Sequence, residues 1–185
     1  MEILGVAGVV LFVLLYLILI AYAVVTYVIT SKSLYTIAAR RGITNPGIAW
    51  VPVANSWILG SLSDQYHQRK YGHDPNIRQP LLIWSIISQA ALLTVNLFNA
   101  IANTYDGLTD ITPLLFVLLL ALALLGLAIV QTVLQLKAYY SLYASCKPQL
   151  AVLFLVLSIV TPAGPFLVYA NRNSDDGLPP KKQEE

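Results

Sequence analysis

The chain has 185 residues, 57% hydrophobic and 11% charged, with a formal net charge of +2 and a mean hydropathy of +0.70. Soluble domains carry about a quarter charged residues, so this composition excludes a water-facing globule, and the small, scattered positive excess excludes a nucleic-acid surface. The single cysteine, Cys146, excludes an intrachain disulfide or a cysteine-based metal site.

Residues 3–29 form an apolar run long enough to cross a bilayer with some tilt. Glu2 stands where a signal peptide would carry basic residues, so the run is expected to stay as a first transmembrane helix. Tyr16, Ala23, Tyr27 and Thr30 share a face suited to protein packing, while Tyr22 and Tyr27 suit ring anchors near the headgroups equally well. Residues 31–41 read as a separate amphipathic helix lying in the membrane interface, capped by Ser31 or Ser33. Arg40 and Arg41 complement the dipole of its last turn, and Gly42 ends it.

The stretch RRGITNPGIAWVPVANSWILGSL, residues 40–62, is too apolar for a solvated loop and too interrupted for a spanning helix. Pro46, Gly47, Pro52 and Asn55 break it, and inside hydrocarbon a freed carbonyl finds no water. The expectation is a broken, partly embedded segment that enters the membrane edge and does not traverse it, with residues 31–62 interfacial or re-entrant. Asn55 and Ser56 are candidate caps for a final helical piece, and Trp50 and Trp57 suit the headgroup level.

Residues 63–80 are a polar connection. Asp64, His67, His73 and Asp74 lie in it, but their spacing fits no standard metal-ligand pattern, so it reads as solvated loop. Pro80 opens a second span, 81–103, and a short acidic turn with Asp106 and Asp110 leads to a third, 113–146, opening at Pro113. Pro148 stops that helix. A fourth span is expected at 149–170, kinked or broken by Pro162 and Pro165, and residues 173–185 form a polar tail expected to be poorly ordered.

Lys32, Arg40, Arg41, Arg69, Lys70 and Arg78 all fall between the first and second spans, whereas the turn after the second span has no cation. The positive-inside rule puts residues 31–80 in the cytoplasm. With four crossings the tail lies outside, which misplaces Arg172, Lys181 and Lys182; a re-entrant fourth segment would return it to the cytoplasm.

Ser85, Ser88, Gln89, Asn96, Asn99 and Asn103 form a polar stripe along the second span, and Gln131 and Gln135 answer it on the third. Such a stripe either glues helices together or lines a solute path; glue is the commoner case. Lys137 can snorkel to the interface. No phosphate loop, zinc-protease or serine-nucleophile motif appears, and no acidic residue lies in a span.

The run Ala39-Arg40-Arg41-Gly42-Ile43-Thr44-Asn45-Pro46, followed by Ala49-Trp50-Val51-Pro52, Asn55 and Ile58-Leu59-Gly60, resembles a signature of an uncharacterised group of small bacterial multi-pass membrane proteins. The tail piece Arg172-Asn173 with Asp176-Gly177-Leu178-Pro179-Pro180 resembles the end of the same group, where Met is more usual than Leu178. The resemblance implies a bacterial inner-membrane protein and transfers no catalytic residue.

The sequence therefore predicts an all-α integral membrane protein: one helical domain, 1–172, with four transmembrane helices, an interfacial amphipathic helix and a broken, partly embedded segment. The expected role is non-enzymatic and needs no cofactor: a membrane subunit or binding scaffold. Its basic cytoplasmic face (Arg40, Arg41, Trp50, Asn55, Trp57) would meet anionic lipid, a membrane protein partner or a second copy. The competing expectation is a small-solute transporter or channel-forming oligomer using the stripe, with an intramembrane enzyme third.

Overall fold

The computed structural model describes residues 2–102 and 111–180, and among these every regular element is helical. Helix α1, Glu2–Arg40, is one continuous rod of 39 residues, about 58 Å long at 1.5 Å per residue. The separate interfacial helix expected at 31–41 does not exist. Of the two expected caps, Ser33 Oγ donates back into the continuing helix at the Ile29 carbonyl (2.5 Å), as its neighbours Thr30 and Thr36 do at Thr26 and Lys32 (2.8 Å each), while Ser31 Oγ is buried without a hydrogen-bond partner. The end of α1 follows expectation. Gly42 adopts φ +69°, and the Ile43 and Gly42 N–H groups return to the Ala38 and Ala39 carbonyls at 2.9 and 3.3 Å.

The chain then doubles back along α1. A 3-10 turn, Pro46–Trp50, packs on α1, and the Tyr27 hydroxyl donates to the Trp50 carbonyl. Helix α2, Asn55–Tyr71, returns towards the Arg41 end, where Gln65 Nε2 donates to the Arg41 carbonyl at 3.0 Å. Residues 41–71 thus form a hairpin whose two ends lie at the same end of the molecule. Its returning arm is no surface element, however. Ile58 and Leu62 are fully buried and Tyr66 nearly so, and Asn55 and Ser56 do not cap α2, since Ser56 Oγ donates to Val53.

Helix α3, Arg78–Ala102, runs antiparallel to α2. Gly60 lies against Arg78, while Val51 and Ala54 lie beside Ile86, Gln89 and Ala90. Helix α4, Ile111–Cys146, is 36 residues long. The fourth expected span is broken. A 3-10 turn, Pro148–Leu150, leads into α5, Ala151–Val160, and after a turn at Pro162 the chain reverses into α6, Gly164–Ala170. The ten residues of α5 reach about 15 Å, half of the ~30 Å hydrocarbon thickness. The chain comes back to its starting point, because the Asp176 and Gly177 N–H groups donate to the Cys146 and Ser145 carbonyls at 3.2 and 3.1 Å. Pro162 and Pro165 break the segment as expected, and the result is a second hairpin.

Among the described residues three helices are long and apolar enough to cross a membrane: Gly8–Arg40, Arg78–Leu97 and Leu118–Cys146. Residues 149–170, where the fourth span is expected, hold no single helix of that length. Both hairpins enter from one end, and the hydroxyl of one α1 tyrosine meets each turn: Tyr27 at Trp50, and Tyr22 at the Pro162 carbonyl (2.9 Å). The core sits between those turns and the chain reversals, around Leu34 and Ile37 of α1, Ile58 and Leu62 of α2, Leu81 of α3, Leu142 and Tyr143 of α4 and Val168 of α6. Towards the other end α1 is exposed continuously from Gly8 to Val25.

Candidate functional site

The polar end of the packed core is held by charges the sequence does not bring together. Arg41 follows α1, and its side chain is 2% exposed. Its Nε and Nη2 donate to Oδ1 of Asp175 at 2.9 and 2.6 Å, and its Nη1 to Ser145 Oγ at 2.9 Å. Nη2 also lies 3.6 Å from Cys146 Sγ. Arg40 grips the other carboxylate oxygen, Nη2 to Oδ2 at 2.6 Å, and donates through Nη1 to the Arg172 carbonyl at 2.6 Å. Residues 171–180 are therefore a docked strap and not the poorly ordered segment expected, while the rest of that expected tail, 181–185, lies outside the described residues. Leu178 packs on the core, Gly177 lies directly against the Ala144 carbonyl, and Arg69 reaches the Pro179 carbonyl at 3.4 Å.

This changes the expected partner face. Arg40 and Arg41 are committed to Asp175, and Trp57 is half-buried with the Arg78 guanidinium 5.7 Å over its ring. Asn55 is half-buried as well, and Trp50 stays exposed. Lys32, Arg69, Lys70, Lys147 and Arg172, by contrast, have no carboxylate partner among the described residues. Lys70 donates to the Tyr66 hydroxyl at 2.7 Å, a bond that raises its pKa above the usual lysine value. Arg172 lies 3.7 Å over the Tyr169 ring.

Asp64, read from sequence as loop, is a buried cap. Its carboxylate accepts the Ile77 and Arg78 N–H groups at 2.7 and 3.1 Å, satisfying donors at the start of α3. Burial pushes its pKa above the usual carboxylate value, against the lowering effect of those two hydrogen bonds. Among the described residues no three of His, Cys, Asp and Glu converge as metal ligands.

The polar stripe is only partly assembled. Gln131 Nε2 donates to Ser85 Oγ at 2.8 Å, and Ser85 donates on to the Leu81 carbonyl, which ties α3 to α4. Gln89 is exposed beside the first hairpin's turn, and Asn96 bonds its own helix at the Leu92 carbonyl. Gln135 turns away into a groove of about 250 Å³ between α4 and the second hairpin, lined also by Thr132, Tyr139, Pro162 and Pro165. In that groove Tyr143 and Ser158 share a hydrogen bond of 2.8 Å. Ser88 Oγ and Gln131 Oε1 are buried without a protein partner. The side chain of Asn99 and the whole of Asn103 lie outside the described residues.

Sequence reasoning missed Arg41–Asp175, the Asp64 cap and the tyrosine hooks. The available signals were a buried-looking arginine beside a helix-ending glycine, and a tail whose Asp175-Asp176-Gly177 is a turn sequence. Comparison of the chain with protein-family models, with curated proteins and with solved structures returns no match.

Proposed function

We propose that this protein is a non-enzymatic subunit or scaffold of the bacterial cytoplasmic membrane, whose basic end engages anionic lipid headgroups. The bacterial setting rests on the resemblance of the central motif. The observation that carries the lipid reading is the set of unpaired cations at one end. Arg69, Lys70, Lys147 and Arg172 lack carboxylates and share that end with both chain reversals. Each cation near an anionic surface favours it by about 1 kcal/mol. Directly beside them α5 presents exposed Val152, Leu153 and Val156, an apolar face that suits acyl chains.

Thermal unfolding in nanodiscs tests this. Phosphatidylglycerol in the disc should raise the midpoint over pure phosphatidylcholine, and the gain should shrink when Lys70 and Lys147 are changed to Gln. An unchanged midpoint sinks the reading.

Buried Ser88 Oγ and Gln131 Oε1 favour a second reading, a small-solute path between α3 and α4, because unpartnered buried polar atoms mark sites for water. Solute flux in proteoliposomes that disappears in a folded Ser88→Ala, Gln131→Leu variant would select it.

A further inference from the structure

We propose that Arg40 and Arg41 form an anion-exchange site. Asp175 fills it in this structure, and a lipid phosphate headgroup displaces that carboxylate and frees the strap of residues 171–180. The proposal deepens the anionic-lipid reading and rests on it.

The argument begins with Arg41. A guanidinium stays protonated in proteins, and leaving one buried without a counter-charge is strongly unfavourable. Arg41 is almost wholly buried, and among the described residues its one carboxylate partner is Asp175. Ser145 Oγ, its other oxygen partner, is neutral and already donates to the Leu142 carbonyl at 2.6 Å. The strap therefore leaves only when another anion takes its place.

The outer side of the site is open to exchange. The Arg40 and Asp175 side chains are 37% and 31% exposed, so solvent and headgroups reach Oδ2. Two guanidinium groups with a hydroxyl behind them grip both oxygens of one carboxylate, and such forks match a phosphate at least as well. Apart from Asp175, the strap is held by two backbone bonds to the end of α4, the Arg40 bond to the Arg172 carbonyl, the long Arg69 contact with Pro179, and the packing of Gly177 and Leu178. Because carboxylate and phosphate want the same donors, headgroup binding and strap docking oppose each other reciprocally. A lipid source is favoured by the exposed apolar face of α5, which begins at Ala151, just beyond Cys146 and its contact with Arg41.

Hydrogen exchange of the full chain in nanodiscs tests the proposal. In phosphatidylcholine the Asp176 and Gly177 amides should be protected, and phosphatidylglycerol should speed their exchange severalfold. Asp175→Asn should exchange fast in both lipids and retain anionic lipid more tightly than the wild type. Arg40→Gln, at an exposed position where the fold survives, should lose the response to phosphatidylglycerol. Glycerol 3-phosphate added to phosphatidylcholine discs should have little effect; release as strong as with the lipid would overturn the lipid assignment. If phosphatidylglycerol stabilises the protein while strap protection stays unchanged, exchange at Arg41 is overturned and the broader lipid reading stands. Indifference of both stability and protection removes both.

Discussion

Asp64 of α2 caps α3 through the Ile77 and Arg78 backbone N–H groups, and so fixes where the first hairpin hands over to the next long helix. The cap is buried, with a side-chain exposure of 4% and Arg78 Nε 3.9 Å away. Its pKa is raised in the folded protein, so the native state holds a proton more tightly than the unfolded chain. Stability should therefore fall as pH rises from the ordinary value of 3.8 through the raised native value, and stay level above it. Asp64→Asn should abolish that slope and cost about 1–2 kcal/mol at neutral pH, because one of two buried donors loses its acceptor. Denaturant unfolding across the acid range measures both effects.

Gly60 is the point of closest approach between α2 and α3, since an added Cβ would overlap the Arg78 Cα. Gly60→Ala should destabilise the protein by about 1–3 kcal/mol by forcing those backbones apart. Gly126 in α4 has open space around it, so Gly126→Ala should leave stability unchanged or slightly raised. Equal effects of the two substitutions on thermal unfolding would contradict this packing.

Gly177 lies so close to the Ala144 carbonyl that no side chain fits between them. Gly177→Ala should detach the strap even with Asp175 intact. The expected sign is loss of exchange protection at Asp176 and Gly177, with the bond between Tyr143 and Ser158 unaffected, and a lowered unfolding midpoint as Arg41 loses its counter-charge.

The hairpins predict a topology. In a Cys146→Ser background, cysteines placed at Thr44, Gly72 and Ser174 should all react with an impermeant reagent from one side of the membrane. A cysteine in the 103–110 connection should react from the other. Labelling of Ser174 from the same side as that connection would restore the fourth crossing.

The all-helical fold, the apolar stretches long enough to cross a membrane and the breaks at Pro46, Pro52, Pro148 and Pro162 were legible in the sequence, because hydrophobic length and proline chemistry act locally. So was the end of α1, where Gly42 supplies a backbone conformation that other residues resist. The continuity of α1 past Ser33 was not, since a hydroxyl can cap a new helix or, as Ser33 does, bond back into an old one. The fate of 149–170 was not legible either. Its composition permits a crossing, and what turns it back is distant: the Pro162 carbonyl meeting Tyr22, and the strap meeting the end of α4. Only tertiary packing paired Arg41 with Asp175, which lie 134 positions apart, or used Gln131 for Ser85 while sending Gln135 elsewhere. Local pattern determines which segments shun water. Which charge answers a buried charge depends on what the folded chain brings within a few ångströms.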